Sequence, residues 1–172
     1  MKGRAAIIVA SAILASSSAT AIEPHVVVVH AAVHDSAENA IAARIAKVNR
    51  RRDASEIARA IVAAAKYYEI DPLLVAAVIE VESAYNPIAE GPIGERGLMQ
   101  IRKSTAKDLG LDWNEAFRIE ENIWAGTKYL SWHLADYGSM AKAASRYNGG
   151  SSAYAAKVMT RYNRMALAQA HL

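Results

Sequence analysis

The spacing of apolar residues predicts a chain that folds almost entirely into α-helices. Apolar side chains recur at three- and four-residue intervals, the spacing that places them on one face of a helix. The interval is clearest in the segment that contains Ile57, Ala60, Ile61, Ala64 and Ala65. Similar patterns continue to the end of the chain, so we expect a mainly α fold in a single domain.

Capping and helix-breaking residues divide this pattern into separate helices. Asp53 with Glu56 is a capping-box arrangement, Asp71 followed by Pro72 is an N-cap before a first-turn proline, and Ser104 is a further N-cap. Glycines and prolines predict a loop over residues 89–97. The predicted helices cover residues 37–48, 53 onward, 72–84, 104–110, 120–135, 139–147 and 152 to beyond 165.

The first 21 residues have the organisation of a secretory signal peptide. Lys2 and Arg4 precede an apolar run over residues 5–15, and the segment ends in the small residues Ala19-Thr20-Ala21. The apolar run is about half of the roughly 20 residues that a membrane helix needs. An uncleaved anchor helix is the alternative, which the serines at 16–18 disfavour because they interrupt the hydrophobicity. We expect cleavage and export.

Residues 22–52 are predicted to form an N-terminal extension, and residues 53–172 the main domain. The segment from Ile22 to Asp35 fits neither the helical period nor a clean alternation, so we expect a tail or a short added strand there. No carboxylate or cysteine stands at a supporting spacing, so we expect no metal site, although the segment contains His25, His30 and His34.

Charge and cysteine content exclude several classes of protein. The net charge of +3 includes Lys2 and Arg4, so a chain without the signal peptide carries only +1. We therefore expect no nucleic-acid partner and interpret the basic run over residues 49–52 as a solvated junction. The chain has no cysteine, which rules out a disulfide framework, a thiol nucleophile and a lipid-modified N-terminal cysteine.

Two acidic residues on the third predicted helix are candidates for catalysis. A carboxyl group held against apolar walls resists ionisation, which is the property that a general acid needs near neutral pH. Glu82 shares its face of the helix with Ile79, Val78, Val75 and Asp71, and Glu80 shares its own with Leu73, Ala76, Ala77 and Ala84. The pattern does not separate them, and either could be a structural acid paired with an arginine such as Arg96.

The order of motifs carries more information than any single residue. Glu82-Ser83 precedes Tyr85-Asn86-Pro87; residues 97–101 read Gly-Leu-Met-Gln-Ile; Asn122-Ile123, Ala125-Gly126 and Tyr129-Leu130 follow; and residues 147–150 read Tyr-Asn-Gly-Gly. Over about Ile57 to Tyr162, this order resembles the lytic transglycosylase domain of the soluble type. The resemblance implies a lysozyme-like, mainly helical fold with an active-site cleft.

The resemblance also implies a reaction in which Glu82 is the only essential carboxylate. Glu82 would protonate the glycosidic oxygen between N-acetylmuramic acid and N-acetylglucosamine, then act as a base on the muramic C6 hydroxyl, giving a 1,6-anhydro product without consuming water. Ser83, Gln100 and Asn148 match residues that contact substrate, and Tyr147 matches a substrate-site tyrosine whose hydroxyl reaches the catalytic glutamate. No cofactor is implied.

The chain departs from the family pattern beside two of these motifs. Arg102 stands where the family commonly has a methionine, and Arg146 replaces the usual alanine before the Tyr-Asn pair. Both arginines could favour contact with the anionic peptide stems.

Two rival functions are compatible with the same motifs. A goose-type lysozyme activity would need Glu95 or Glu90 to steer water. The other rival is a non-catalytic peptidoglycan-binding or assembly factor.

The expected surroundings of the protein follow from the same resemblance. We expect a periplasmic monomer that acts on the glycan strands of peptidoglycan. The small size is compatible with a secretion-system, flagellar or pilus assembly partner, although no motif names one.

Overall fold

The protein is a bundle of helices with very little other regular structure. The computed structural model describes residues 25–50 and 53–171, with side chains from residue 36 onward. Within these residues there are two isolated β-bridges and one 3-10 helix, Trp113–Glu115. The α-helices are α1 (His25–Val48), α2 (Ala54–Tyr67), α3 (Pro72–Ser83), α4 (Lys103–Leu109), α5 (Ile119–Tyr137), α6 (Met140–Tyr147) and α7 (Ser152–Gln169). The mainly α fold class is thereby confirmed.

The apolar helix α3 lies at the centre of the bundle. Every residue from Leu73 to Ile79 is buried. Helices α1, α2 and α7 pack around α3, while α5 packs against α2, α4 and α6, and α6 also contacts α7. The middle of α3 is thus enclosed, its last four residues are partly exposed, and the candidate acid Glu82 stands among them.

The predicted N-cap positions are confirmed at Asp71 and Asp53 and wrong at Ser104, and the capping box predicted for Asp53 does not form. Asp71 caps α3 as expected, because its side chain accepts a hydrogen bond from Leu73 N at 2.8 Å. Asp53 occupies the N-cap of α2 with φ −87° and ψ 10°, outside the extended region, and its side chain makes no cap hydrogen bond. Helix α4 begins one residue before Ser104, with Arg102 at the N-cap.

The N-terminal helix α1 is much longer than predicted. It begins at His25, so the expectation of a tail or short strand is wrong over residues 25–35. A β-branched residue costs a helix only about 0.5 kcal/mol relative to alanine, and extending an existing helix avoids the cost of nucleation. A run of four valines therefore does not stop the helix. Further along α1, Ile41 and Ile45 are fully buried in the core.

The predicted signal peptide, residues 1–21, lies outside the described residues and stays a prediction. In the parts of the chain that the structure covers, no helix has the length and hydropathy needed to cross a membrane.

Candidate active site

A strained turn fixes the C-terminal end of α3. Ala84 and Tyr85 have φ angles of 49° and 61°, a left-handed conformation that is unfavourable for residues with a side chain. The buried Tyr85 hydroxyl donates to the Ala76 carbonyl oxygen at 3.1 Å. From the end of α1, the Asn49 amide donates to the Ala84 and Tyr85 carbonyl oxygens at 3.2 and 3.3 Å. These hydrogen bonds hold the turn that directly follows the candidate acid.

Buried Asn122 ties the loop after this turn to α5. Its Oδ1 accepts from Met99 N at 2.7 Å, while its Nδ2 donates to the carbonyl oxygens of Arg96 and Ala116 at 2.9 and 2.7 Å. The hydrogen-bonding capacity of this buried amide is well used. Gly97 is required beside it, because its φ is 78° and a side chain there would collide with Asn122. Helix α5 thus positions the loop at residues 96–99.

The loop, α3, α4, α5 and the end of α6 surround a cleft of about 420 Å³. Four of the five predicted site residues line it, namely Glu82, Gln100, Tyr147 and Asn148. The fifth, Ser83, is not among the lining residues. The same walls carry Glu95 and Arg102, which gives the cleft two carboxyl groups and one guanidinium group.

Glu82 faces this cleft and holds one short hydrogen bond. Its Oε1 accepts from the Tyr154 hydroxyl at 2.6 Å. The pKa of Glu82 is raised above its usual value, chiefly because burial disfavours the charged form; the Tyr154 hydrogen bond opposes the rise, the charge of Glu95 adds to it and Arg102 opposes it. A carboxyl group whose proton is retained to higher pH is suited to donate that proton to a bound substrate.

Glu80, two residues earlier, is the structural acid of the pair. Arg44 of α1 binds it with two hydrogen bonds, at 2.8 and 2.5 Å, and Arg161 Nε of α7 lies 3.7 Å from it. Its side chain is only 6% exposed. Arg96 is therefore not its partner. The guanidinium of Arg96 instead lies 4.6 Å from the centre of the Trp113 ring.

The tyrosine that reaches Glu82 is not the predicted one. The Tyr147 hydroxyl donates to the Met99 carbonyl oxygen at 2.8 Å, so the expected contact with the glutamate is wrong, although the side chain lines the cleft. Tyr154, in the first turn of α7, makes that contact instead. Burial raises the pKa of both tyrosines, so both hydroxyls stay protonated and able to donate. A signal was present in the sequence, since a tyrosine on the buried stripe of α7 needs a partner for its hydroxyl.

Ser83 and Gln100 donate hydrogen bonds to backbone carbonyl oxygens of the loop. Ser83 Oγ donates to the Leu98 carbonyl oxygen at 2.8 Å, and Gln100 Nε2 donates to the Gly97 and Ala89 carbonyl oxygens at 2.9 and 3.1 Å. Gln100 also has a positive φ of 48°. Both residues shape the cleft, and direct contact with substrate stays a prediction for each.

The described residues contain no group of three or more histidine, aspartate or glutamate side chains that could hold a metal ion. The cleft offers a partly buried carboxyl group, a second carboxyl group beside a guanidinium, and several hydroxyl and amide groups.

Two known proteins are similar in sequence to this chain over part of their length. The "Transglycosylase" of Enterobacteria phage PRD1 is 37% identical over 110 residues, which cover 59% of this chain and 41% of the phage protein. A membrane-bound lytic murein transglycosylase F of Salmonella typhi is 46% identical over 62 residues, which cover 36% of this chain and 13% of that protein. The chain thus spans less than half of either relative.

Solved structures show the same helical arrangement. The 70 kDa soluble lytic transglycosylase SLT70 from Escherichia coli superposes with a TM-score of 0.51 at 26% identity, covering 63% of this chain and 18% of that chain. A complex of a 70 kDa soluble lytic transglycosylase with bulgecin A gives a TM-score of 0.50 with the same identity and coverage. A family model for the transglycosylase SLT domain matches residues 59–169, more than half of the chain. The chain belongs to the transglycosylase SLT domain family.

Proposed function

We propose that this protein is a peptidoglycan lytic transglycosylase in which Glu82 is the only acid and base. The observation that carries the proposal is the partly buried Glu82 carboxyl group, which lines the cleft with a raised pKa and accepts a hydrogen bond from a neutral tyrosine. Membership of the SLT domain family and the relatives named as murein transglycosylases support the choice of substrate.

The reaction needs one proton donor and no water. Protonated Glu82 gives its proton to the glycosidic oxygen as the bond to C1 of N-acetylmuramic acid breaks, and the acetamido group of the sugar stabilises the positive charge that develops. The Glu82 carboxylate then takes the proton of the C6 hydroxyl while the oxygen of that hydroxyl forms a bond to C1 of the same sugar. The products are a 1,6-anhydro sugar and a free 4-hydroxyl, and Glu82 is again protonated.

An internal hydroxyl is a strong competitor of water in such a site. A well-oriented intramolecular nucleophile has an effective molarity of about 10⁵ M or more, so fixing the conformation of the sugar is enough to favour ring closure. The cleft offers groups for that task, since Asn148 is exposed at its rim and Gln100 lies in its wall. Tyr154 donates to the ionised form of Glu82 and so steadies the carboxylate between the two proton transfers.

One observation favours hydrolysis as a second candidate function. Glu95 lines the same cleft and could steer a water molecule to C1. Its carboxyl oxygens are already engaged, because one accepts from Ile93 N at 3.1 Å and the other lies 3.6 Å from Arg102 Nε. This engagement makes Glu95 less free to activate water, so we favour transglycosylation. Glu90, the other acid considered for this role, is not among the lining residues.

Product analysis separates the two reactions. Purified protein is incubated with peptidoglycan sacculi, and the masses of the released muropeptides are determined by mass spectrometry. We expect products that lack the mass of one water relative to hydrolysis products. Reducing-end products would instead assign the protein a lysozyme activity, and no release at all would leave a binding or assembly role.

The location of the protein belongs to the same proposal. The signal peptide predicted over residues 1–21 and the wall substrate both indicate export to the periplasm. Fractionation of cells that express the full chain, with sequencing of the N-terminus of the exported form, tests it. We expect an N-terminus at Ile22.

A further inference from the structure

A second pocket, open to the surface, lies next to the cleft along the chain, and four of its five lining residues are exposed. Its volume is about 430 Å³, and we call it the cationic pocket; it is lined by Tyr137, Lys142, Ser145, Arg146 and Gly150. No acidic residue is among its lining residues.

The cleft and the cationic pocket share a wall formed by the turn between α6 and α7. Tyr147, Asn148 and Gly149 face the cleft, while the residues immediately before and after them, Arg146 and Gly150, face the pocket. Neighbouring Cα atoms are only about 3.8 Å apart. The residues that line the pocket are therefore direct chain neighbours of residues that line the cleft.

The two cations of the pocket have no carboxylate partner among the described residues. Lys142 and Arg146 stand four residues apart on α6, and neither takes part in any of the ion pairs formed in residues 36–50 and 53–171. Like charges at this spacing repel one another on a helix surface. Lys142 also lies in the first turn of α6, where the helix dipole disfavours a positive charge. An anionic ligand between them would relieve both costs.

Arg146 is held in a position suited to bind a carboxylate. Its guanidinium lies 5.0 Å from the centre of the Tyr137 ring, a cation–π contact that holds the group beside the pocket. A guanidinium edge matches the two oxygens of a carboxylate. The nearby Asp136 interacts with His133 but forms no ion pair with Arg146.

Arg102, another residue at which the chain departs from the family pattern, differs from Arg146 because it has an acidic partner. Arg102 already faces an acid, Glu95, across 3.6 Å within the cleft. An arriving carboxylate would have to compete with Glu95 for Arg102, whereas at the cationic pocket it meets cations that are unpaired.

We propose that the cationic pocket binds carboxylate groups of the peptide stem while the sugars of the same strand occupy the cleft. The proposal rests on the proposed function, because it takes peptidoglycan as the ligand. The stem branches from the muramic sugar and carries several free carboxylates, so its geometry and charge both fit a pocket beside the cleft. Arg146 is then a specificity-determining residue, and Lys142 strengthens the attraction.

A binding measurement that needs no turnover tests this assignment. Glu82→Gln protein is titrated with a disaccharide that carries a tripeptide stem and with the same disaccharide after the stem has been removed. We expect about tenfold tighter binding of the fragment with the stem, the size of one charge-assisted hydrogen-bonded contact. Adding Arg146→Ala or Lys142→Ala should bring the ratio of the two affinities towards one, and raising the salt concentration should do the same.

Matched controls keep the result interpretable. Arg164→Ala removes an exposed cation of α7 that is not among the lining residues of either cavity, and it should preserve the ratio. Circular dichroism verifies that each variant is folded. An unchanged ratio in both the Arg146→Ala and Lys142→Ala proteins overturns the pocket assignment and leaves the catalytic proposal intact. Failure of unmodified protein to cleave sacculi overturns the catalytic proposal, and failure of a protein that cleaves sacculi to bind the fragment with the stem overturns the pocket assignment.

Discussion

The two carboxyl groups at the end of α3 stand two residues apart and have opposite surroundings. Glu80 lies between Arg44 of α1 and Arg161 of α7, and its partners within the bundle are these two cations. Glu82 points to the other side of the helix, where its hydrogen-bond partner is the uncharged hydroxyl of Tyr154. Both are largely withdrawn from water, so burial alone does not distinguish them. They differ in their partners, which are guanidinium groups at Glu80 and a neutral hydroxyl at Glu82.

The largest effect is expected from removing the cleft carboxyl group. Glu82→Gln keeps the size of the side chain but cannot donate or accept the proton, so we expect a rate loss of about 10²- to 10⁴-fold. Clearing of a peptidoglycan suspension measures it. Glu80→Gln is the matched change, and its activity per folded molecule should remain close to that of the parent protein. Equal clearing by Glu82→Gln and the parent would remove the catalytic assignment.

The second largest effect is expected on the free energy of unfolding, when the ion-pair partner of Glu80 is removed. Arg44→Ala leaves Glu80 buried with only the more distant Arg161, and breaking a buried ion pair in this way costs about 3 kcal/mol. Urea unfolding followed by circular dichroism measures the loss. The double variant Arg44→Ala with Glu80→Gln should recover part of it, since no unpaired charge remains. A single variant as stable as the parent protein would contradict the structural role given to Glu80.

A smaller effect should come from the tyrosine that donates to Glu82. Tyr154→Phe removes a hydrogen bond that favours the ionised form, so the pKa of Glu82 should rise further. A proton donor with a higher pKa remains protonated to higher pH. The alkaline limb of the pH–rate profile should therefore move upward, while the maximal rate falls about tenfold because the carboxylate loses a charge-assisted hydrogen bond.

Tyr147→Phe is the matched control for this change. The Tyr147 hydroxyl donates to the Met99 carbonyl oxygen and not to Glu82, so the alkaline limb should stay in place. A shift of the limb in Tyr147→Phe and none in Tyr154→Phe would reverse the two assignments.

The smallest effect is expected at the second carboxyl group of the cleft. The charge of Glu95 adds to the rise in the pKa of Glu82, so Glu95→Gln should lower that pKa and move the alkaline limb downward. The product should still be the 1,6-anhydro sugar. Loss of a reducing-end product in Glu95→Gln would show that Glu95 activates water, and would favour the lysozyme-type reaction.

Local signals in the sequence gave the fold class and most helix boundaries. The cap formed by Asp71 depends on residues within one turn of each other, and it forms as predicted. The start of α1 could not be read in this way, because a valine run is unfavourable for a helix only by a small amount that adjoining helix outweighs. The motifs also identified four residues whose side chains line one cleft in the structure.

The roles of the site residues depended on contacts that no local pattern contains. Glu80 and Glu82 both lie on apolar stripes, and what separates them is an arginine 36 residues earlier in the chain. Tyr147 is partly buried, Tyr154 is buried, and both lie beside the same turn. Which hydroxyl reaches Glu82 is set by the packing of α6 and α7 against α3, and the sequence pattern does not specify those orientations.

The contribution of α1 has a practical consequence for the size of a working fragment. The family model starts at residue 59, yet Arg44 and Asn49 of the preceding segment hold Glu80 and the strained turn after Ser83. Truncation at the family boundary would remove both supports along with Ile41 and Ile45 from the core. The smallest unit able to hold the end of α3 and Glu82 in place therefore includes the C-terminal half of α1, which the family boundary leaves out.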